Sequence, residues 1–354
     1  MSASSPVDLL VVGAGPVGLA AAIRAASAGM RVTVLDPRDP GDGIDKACGE
    51  GLMPGAAATL ASLGVRPQGR PFRGIAYQDA HGTTRAQALF RGEAGLGVRR
   101  TTLSRALAAR ASEVGVGWEP LAVADVTQDD ARVTVTTRGG HTLGRAGSSR
   151  PTACTARSAA CSRARPPPGR RRYPRYGLRR HYRTAPWSDL VEVTWARDAE
   201  AYVTPVAPDL VGVAVLCGGG EGFDGWLARF PRLAQRLEGA QADGPVRGCG
   251  PLRQASRRRR HGRVLLAGDA AGYVDALTGE GLAVGLRSAV TAVDCLVAGR
   301  PEDYPRRWAA LSARPRVLTG GLLAASRVAP VRGRIVPAAA ALPGVFGWVV
   351  AQLA

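Results

Sequence analysis

Residues 7–37 read VDLLVVGAGPVGLAAAIRAASAGMRVTVLDP. An apolar run from Leu9 to Val12 stops at Gly13, an apolar-periodic segment follows to Ala28, and a second β-branched run, Met30 to Leu35, ends at Asp36. That order predicts strand, helix, strand. Gly13 permits a tight turn, Gly15 lets backbone approach a pyrophosphate, and Gly18 allows the helix to lie close on the strands. Pro16 stands at the helix start, where its missing N–H costs nothing. The helix N-terminus then offers free N–H groups and a positive dipole end to phosphates. Asp36, at the tip of the second strand, is placed to accept hydrogen bonds from adenosine ribose hydroxyls.

Working outward, 354 residues suffice for a large core and two intimately joined domains. The net charge of +19 points at first to nucleic acid or a membrane surface. Its distribution argues otherwise. Lys46 is the only lysine, residues 144–172 hold eight Arg and no acid, and Arg257 to Arg260 add four more. No nucleic-acid motif accompanies these runs, so no nucleic-acid partner is expected. The six cysteines, Cys48, Cys154, Cys161, Cys217, Cys249 and Cys295, form no CxxC pair or metal-ligand spacing, which fits a reduced, cytoplasmic setting and no metal. The N-terminus runs straight into a strand, so no signal peptide is expected. Ile335 to Ala354 lacks charge, but Pro337, Pro343 and Gly344 interrupt it. A buried terminal helix pair is a better reading than a membrane span, and peripheral membrane contact is the lesser expectation.

Residues 38–56 form a Gly- and Asp-rich loop containing DKACGEGLMP, Asp45 to Pro54. A short helix from Ala56 to Leu63, hairpins over 70–98, a helix over Arg99 to Glu113 capped near Thr101 or Thr102, and strands over 116–138 follow from the pattern. Residues 144–172 break every periodicity. Strand rhythm returns in LVEVTW, AYVTPV and LVGVAVL between Tyr176 and Leu216, predicting an antiparallel sheet. Phe223 to Leu237 reads as one amphipathic helix.

A second chemical segment, GRVLLAGDAAGYVDALTGEGLAVGLRSA, spans Gly262 to Ala289. A buried strand ends at Gly268 and Asp269, and a helix begins near Gly279 or Glu280. An Asp directly after a strand suits a ribityl or ribose polyol. The helix starting at Gly279, Glu280 and Gly281 aims its positive end at what lies in front, which suits a flavin ring that gains negative charge on reduction.

GAGPVG at Gly13 to Gly18 together with LLAGDAAGYVDALTGEGLAVGL at Leu265 to Leu286 resembles the superfamily of FAD-dependent aromatic hydroxylases and geranylgeranyl reductases. DKACGEGLMP and YVTPVAPDLVGVAVL, Tyr202 to Leu216, are most similar to the geranylgeranyl reductase-like branch. The resemblance implies an α/β fold with a Rossmann-like FAD-binding domain of the glutathione-reductase type. This domain would interleave with an antiparallel-sheet substrate domain and be followed by C-terminal helices. The corresponding ranges are 1–70, 95–175 and 245–300 for the FAD domain, 71–94 and 176–244 for the sheet, and 301–354 for the helices. It implies FAD as cofactor, NAD(P)H as electron donor and a small apolar substrate. Arg99 or Arg100 would contact the FAD diphosphate region, Asp269 the ribityl side, and Cys48 would lie near the isoalloxazine. His181, Tyr182 and Tyr202 are the polar residues of the presumed sheet offered for substrate contact.

One superfamily motif, a strand ending in Ala-Asp-Gly followed by Ser and Arg, is replaced by SSRPTACTARSAAC at Ser148 to Cys161. Shifting the reading frame by one nucleotide over Arg150 to Ala160, with G/C-biased wobble, spells A-A-D-G-L-H-S-P-V-R-R. A frame change beginning near Gly144 and ending before Tyr176 is therefore expected, and with it a basic loop and weakened or absent activity. An NAD(P)H-dependent monooxygenase is the first functional reading, an ene-reductase of a prenyl or other carbon–carbon double bond the alternative, and an inactive flavin-binding remnant the third. A halogenase would need a substrate-side lysine beyond Lys46 and clustered tryptophans, whereas the six here are scattered.

Overall fold

Residues 7–129, 133–140, 142–145 and 174–353 are described by a computed structural model, and the frame-change expectation for 146–173 lies outside them. The opening stretch forms β1 (Leu9–Val12), α1 (Pro16–Ser27) and β2 (Val32–Leu35), with β1 and β2 paired in parallel. Then come β3 (Gly51–Leu52), α2 (Pro54–Ser62), β4 (Arg70–Phe72), β5 (Gly74–Asp79), β6 (Arg85–Leu89) and β7 (Gly95–Gly97). Next follow α3 (Arg100–Glu113), β8 (Gly117–Glu119), β9 (Val123–Gln128), β10 (Val133–Thr137) and β11 (Thr142–Arg145). The chain continues through β12 (Tyr176–Arg183), β13 (Val191–Trp195), β14 (Glu200–Ala207), β15 (Leu210–Cys217), α4 (Phe223–Leu227), α5 (Pro231–Arg236) and β16 (Gln241–Cys249). It ends with β17 (Arg260–His261), β18 (Val264–Leu265), α6 (Gly281–Val297), α7 (Tyr304–Ser326), α8 (Ala329–Arg332), α9 (Ile335–Ala341) and α10 (Pro343–Ala351).

Two layers of this architecture position the site. In the first, β1, β2 and β8 form a parallel sheet whose β1 and β2 residues are buried throughout, as strands covered on both faces must be. Leu19 and Ile23 of α1, Leu103 and Leu107 of α3, Leu286 and Val293 of α6, and Val264 to Leu266 join Leu9 and Val34 in one apolar core. The second is a seven-stranded sheet in the order β16-β12-β15-β14-β13-β5-β6. Its pairs are antiparallel except β13 with β5, which come from separate segments and run parallel. Along β14 and β15 successive side chains alternate faces: Tyr202, Ala214 and Leu216 face the C-terminal helices, while Val203, Val213 and Val215 face α4 and α5. Glu200 of β14, fully buried, pairs with Arg175 at 2.7 Å and Arg332 at 2.7 Å and so ties this sheet to α8.

The structure corrects several sequence expectations. The helix expected over 223–237 is two, because the residue before Pro231 is barred from helical backbone, although Phe223, Trp226, Leu227, Phe230, Leu233 and Leu237 are all still buried. In α3, Thr101 and Thr102 lie inside the first turn, and Arg99 at the cap makes no side-chain capping bond. The edge strand β16 runs on to Cys249, past the expected boundary at 244/245. β11 carries regular pairing to Arg145, one residue beyond the point where the pattern fails in sequence. The terminal pair α9 and α10 bends by 99° and is only half-buried: Phe346 and Val350 are packed, whereas Leu342, Val345 and Trp348 are more than half exposed. Among the described residues no single helix is long and apolar enough to cross a membrane.

Candidate cofactor site

The Gly-rich turn is built as its spacing requires. Gly13 sits at φ 99°, where a side chain would be strained, and its N–H donates to Leu35 O at 2.8 Å, bringing the turn against the end of β2. Gly15 is the N-cap of α1, Pro16 its first residue, and no side chain caps the helix. A Cβ added at Gly15 would meet nothing within 4 Å. The first-turn N–H groups of α1 thus open onto uncrowded space, which is what a diphosphate requires. Gly18 is buried in α1 as expected.

The two distant motifs meet at Val17. A Cβ on Gly268 would lie 3.1 Å from the Val17 side chain, and one on Gly285 2.8 Å from it. The turn after β18 and the second turn of α6 therefore touch the first turn of α1, an approach that only glycine permits. Gly268 N–H donates to Ser288 Oγ at 2.9 Å, which locks the same corner. Asp269 follows, with its side chain nearly half exposed and 3.9 Å from Lys46 Nζ. Glu280 is the N-cap residue of α6 and Gly281 its first helical residue, while a Cβ on Gly279 would come within 3.1 Å of Met53.

Electrostatics distinguish the two acidic residues. Burial pulls the Asp36 carboxyl upward, but Arg38 and the Ala14 N–H outweigh it and hold it below the usual carboxylate range. Both its oxygens are engaged: Oδ2 accepts from Ala14 N at 3.0 Å and Arg38 Nη2 at 3.2 Å, and Oδ1 from Arg38 N at 3.0 Å and Nε at 3.1 Å. A ribose would have to compete with Arg38. Glu280 is the reverse case, its carboxyl pushed up to about 7 by burial, with its Oε2 lacking a hydrogen-bond partner among the described residues.

Between the two layers lies the loop Asp45–Gly51, near whose end Glu50 adopts φ 60°, the sole non-glycine at positive φ among the described residues. Glu50 is 2% exposed. Its Oε1 accepts from Arg100 N at 2.8 Å and its Oε2 lies 2.6 Å from His181 Nε2. Cys48 is partly buried, and its Sγ accepts the Glu50 N–H at 3.4 Å. Thr204 of β14 donates to Gly49 O at 2.7 Å.

Four expectations change with this geometry. His181 is buried and committed to Glu50, so it does not present to a substrate. Tyr182 points to the opposite face of the sheet, against Phe223, because neighbours on a strand alternate. Tyr202 is buried and donates to Leu277 O at 2.8 Å, which makes it a packing residue. Arg99 pairs through Nη1 with Asp243 of β16 at 3.4 Å, Arg100 stands at the start of α3, and the buried Nε of each lacks a hydrogen-bond partner among the described residues. Sequence reasoning missed Glu50 and Arg179. Only Glu50, between two glycines, carried a visible signal.

The open cap of α1 and the uncapped start of α6, brought together by the contacts at Val17, fit FAD: the turn would hold its ADP half and the 268–281 segment its ring half. Fold and site together define the class of fold, that of a Rossmann-type FAD-binding flavoprotein. Residues 8–77 match the family model described as FAD dependent oxidoreductase. The chain is 49% identical over 69 residues to a menaquinone reductase of Mycobacterium tuberculosis, a match covering 18% of this chain and only 15% of that relative. Over nearly the whole length the fold is that of p-nitrophenol 4-monooxygenase from Pseudomonas putida, with TM-score 0.72, 20% identity, and 98% of this chain and 94% of that one covered. It is also that of a geranylgeranyl bacteriochlorophyll reductase-like protein from Thermoplasma acidophilum, with TM-score 0.71, 17% identity, and 94% and 90% covered.

Proposed function

We propose that this protein is an FAD-dependent oxidoreductase that takes electrons from NAD(P)H and reduces a carbon–carbon double bond of an apolar, prenyl-type small molecule. The observation that carries the reading is the meeting of α1, the Gly268 turn and α6 at Val17, which makes one dinucleotide site of two segments far apart in sequence. Bound there, FAD supplies hydride transfer. The chain's own residues bind and orient: the α1 N-terminus and Arg100 face the diphosphate, Asp269 the ribityl side, and the start of α6 the ring. The Asp45–Gly51 loop separates the ring end from the seven-stranded sheet. Reduction is preferred over oxygenation because the curated relative reported above, 49% identical over 69 residues, is named menaquinone reductase. The second reading, an oxygen-dependent monooxygenase, is favoured by the whole-length likeness to p-nitrophenol 4-monooxygenase.

Anaerobic reduction of the purified yellow protein by NADH or NADPH, followed at the flavin absorbance, and then addition of a quinone with an unsaturated prenyl tail, separates the readings. The expected result is reoxidation without oxygen and a product that stays heavier by one H2 after its ring has been chemically reoxidised to the quinone, so that the added hydrogens lie in the tail. Turnover only with oxygen, and a product heavier by one oxygen atom, would establish the monooxygenase instead. A colourless protein that FAD does not reconstitute would end both.

A further inference from the structure

The buried carboxylate of Glu50 stands in a slot whose four sides come from three parts of the chain. A Cβ on Gly212 of β15 would lie 2.7 Å from Glu50 Oε2, so that glycine makes room for the carboxylate. Arg100 N–H at the start of α3 and His181 of β12 fill two other sides. Arg179 closes the fourth, with its Nε 3.8 Å from Glu50 Oε1. An arginine only donates, so the 2.9 Å contact of Arg179 Nη1 makes His181 Nδ1 an acceptor. His181 is therefore the neutral tautomer that donates from Nε2 to Glu50. Arg179 also pairs with Asp45, which Arg247 of β16 holds at 2.8 Å, so the loop is fastened at both ends to the substrate-side sheet and its charges balance in pairs.

This arrangement opposes the chain's own backbone preference. Left-handed conformation at a non-glycine residue is strained, and Gly49 and Gly51 on either side show how easily the loop could have carried a third glycine. Strain retained together with a buried charge marks a functional position rather than a filler one. What the clamp fixes is the segment Lys46–Gly49, which lies beside Asp269 and presents the partly buried Cys48.

We propose that Glu50 is the positioning residue of the ring end: clamped by His181, Arg179 and the α3 N-terminus, it sets the Cys48–Gly49 backbone against the flavin ring. This rests on the FAD reading above. The test compares Glu50→Ala, Glu50→Gln and Gly212→Ala, the last of which keeps every ionisable group but evicts the carboxylate. Two measurements are made, the alkylation rate of Cys48 in apoprotein by peptide mapping, and the midpoint potential and visible band shape of bound flavin. Expected for Glu50→Ala and Gly212→Ala are at least ~10-fold faster Cys48 alkylation, a shifted potential and altered band shape. Glu50→Gln, which keeps the shape and the bond to Arg100 N–H, restores most of the alkylation protection. Unchanged Cys48 reactivity and an unchanged flavin spectrum in Glu50→Ala and Gly212→Ala would overturn the proposal. If FAD binds to no variant and not to the parent, the FAD reading fails, while the alkylation arm still decides whether Glu50 holds the loop.

Discussion

At the nucleotide end, α1 presents backbone N–H groups across a Gly15 that crowds nothing, while at the ring end the Asp45–Gly51 loop is held by side chains from β12, β14 and β16 and by the start of α3. The first is made of absences: no side chain capping the helix and no Cβ at Gly13 or Gly15. The second is made of charges, a carboxylate in a slot with a neutral histidine and an arginine. A site of absences depends on local spacing, whereas a site of charges depends on partners over a hundred residues away, as with Glu50 and His181. The contrast teaches where each half of the function is fragile.

The sharpest way to test the contrast is Gly15→Val. Nothing in the protein stands within 4 Å of the new Cβ, so the apoprotein should keep its stability to within about 0.5 kcal/mol, yet the side chain would fill the diphosphate's space. FAD affinity, measured by flavin fluorescence quenching, should fall at least ~100-fold, about 2.7 kcal/mol. A variant that binds FAD normally would show that the turn is not the nucleotide site. One that unfolds would show that Gly15 serves packing.

This difference also explains how much was legible in advance. The βαβ unit, the Gly268–Asp269 turn and the start of α6 at Glu280 and Gly281 were readable, because each is a run of local rules: apolar periods, a glycine where backbone must turn, an acid after a strand. That the two runs meet at Val17 was implied only by resemblance. His181, Tyr182 and Tyr202 were misplaced because strand alternation tells which residues share a face and not what covers it: His181 found Glu50 and Tyr182 found Phe223. The break at Pro231 was visible in sequence but was outvoted by the apolar period, which the two short helices satisfy together.

Glu280 offers the next effect in size, at the ring end but on a helix tip rather than in the clamp. Its carboxyl is pushed up to about 7 by burial, so between the ordinary value of 4.5 and about 7 the folded protein holds a proton that the unfolded chain has released. Stability should therefore fall as pH rises through that window and stay reduced above it. Glu280→Gln keeps the neutral form at every pH. It should match the parent near pH 4 and exceed it by about 2 kcal/mol at pH 8 in urea denaturation of the apoprotein. Equal gains at both pH values would show that the carboxyl is not neutral in the fold.

Arg38 gives the smallest and most discriminating effect, because it decides whether the nucleotide end is free of charge clamps. Its side chain is about 42% exposed, and its pair with Asp36 occupies the carboxylate oxygens that a ribose would use. An ion pair open to water on one side is worth about 0–1 kcal/mol, so a ribose can displace it at little cost. Arg38→Ala should accordingly raise FAD affinity by no more than ~5-fold at low ionic strength, and the gain should shrink as salt screens the competing pair in the parent. Isothermal titration at two salt concentrations reads both. A loss of affinity in Arg38→Ala would mean that Asp36 serves to aim Arg38 at the ligand. Both ends of the site would then work through side-chain charge, and the contrast between them would reduce to one of sequence distance alone.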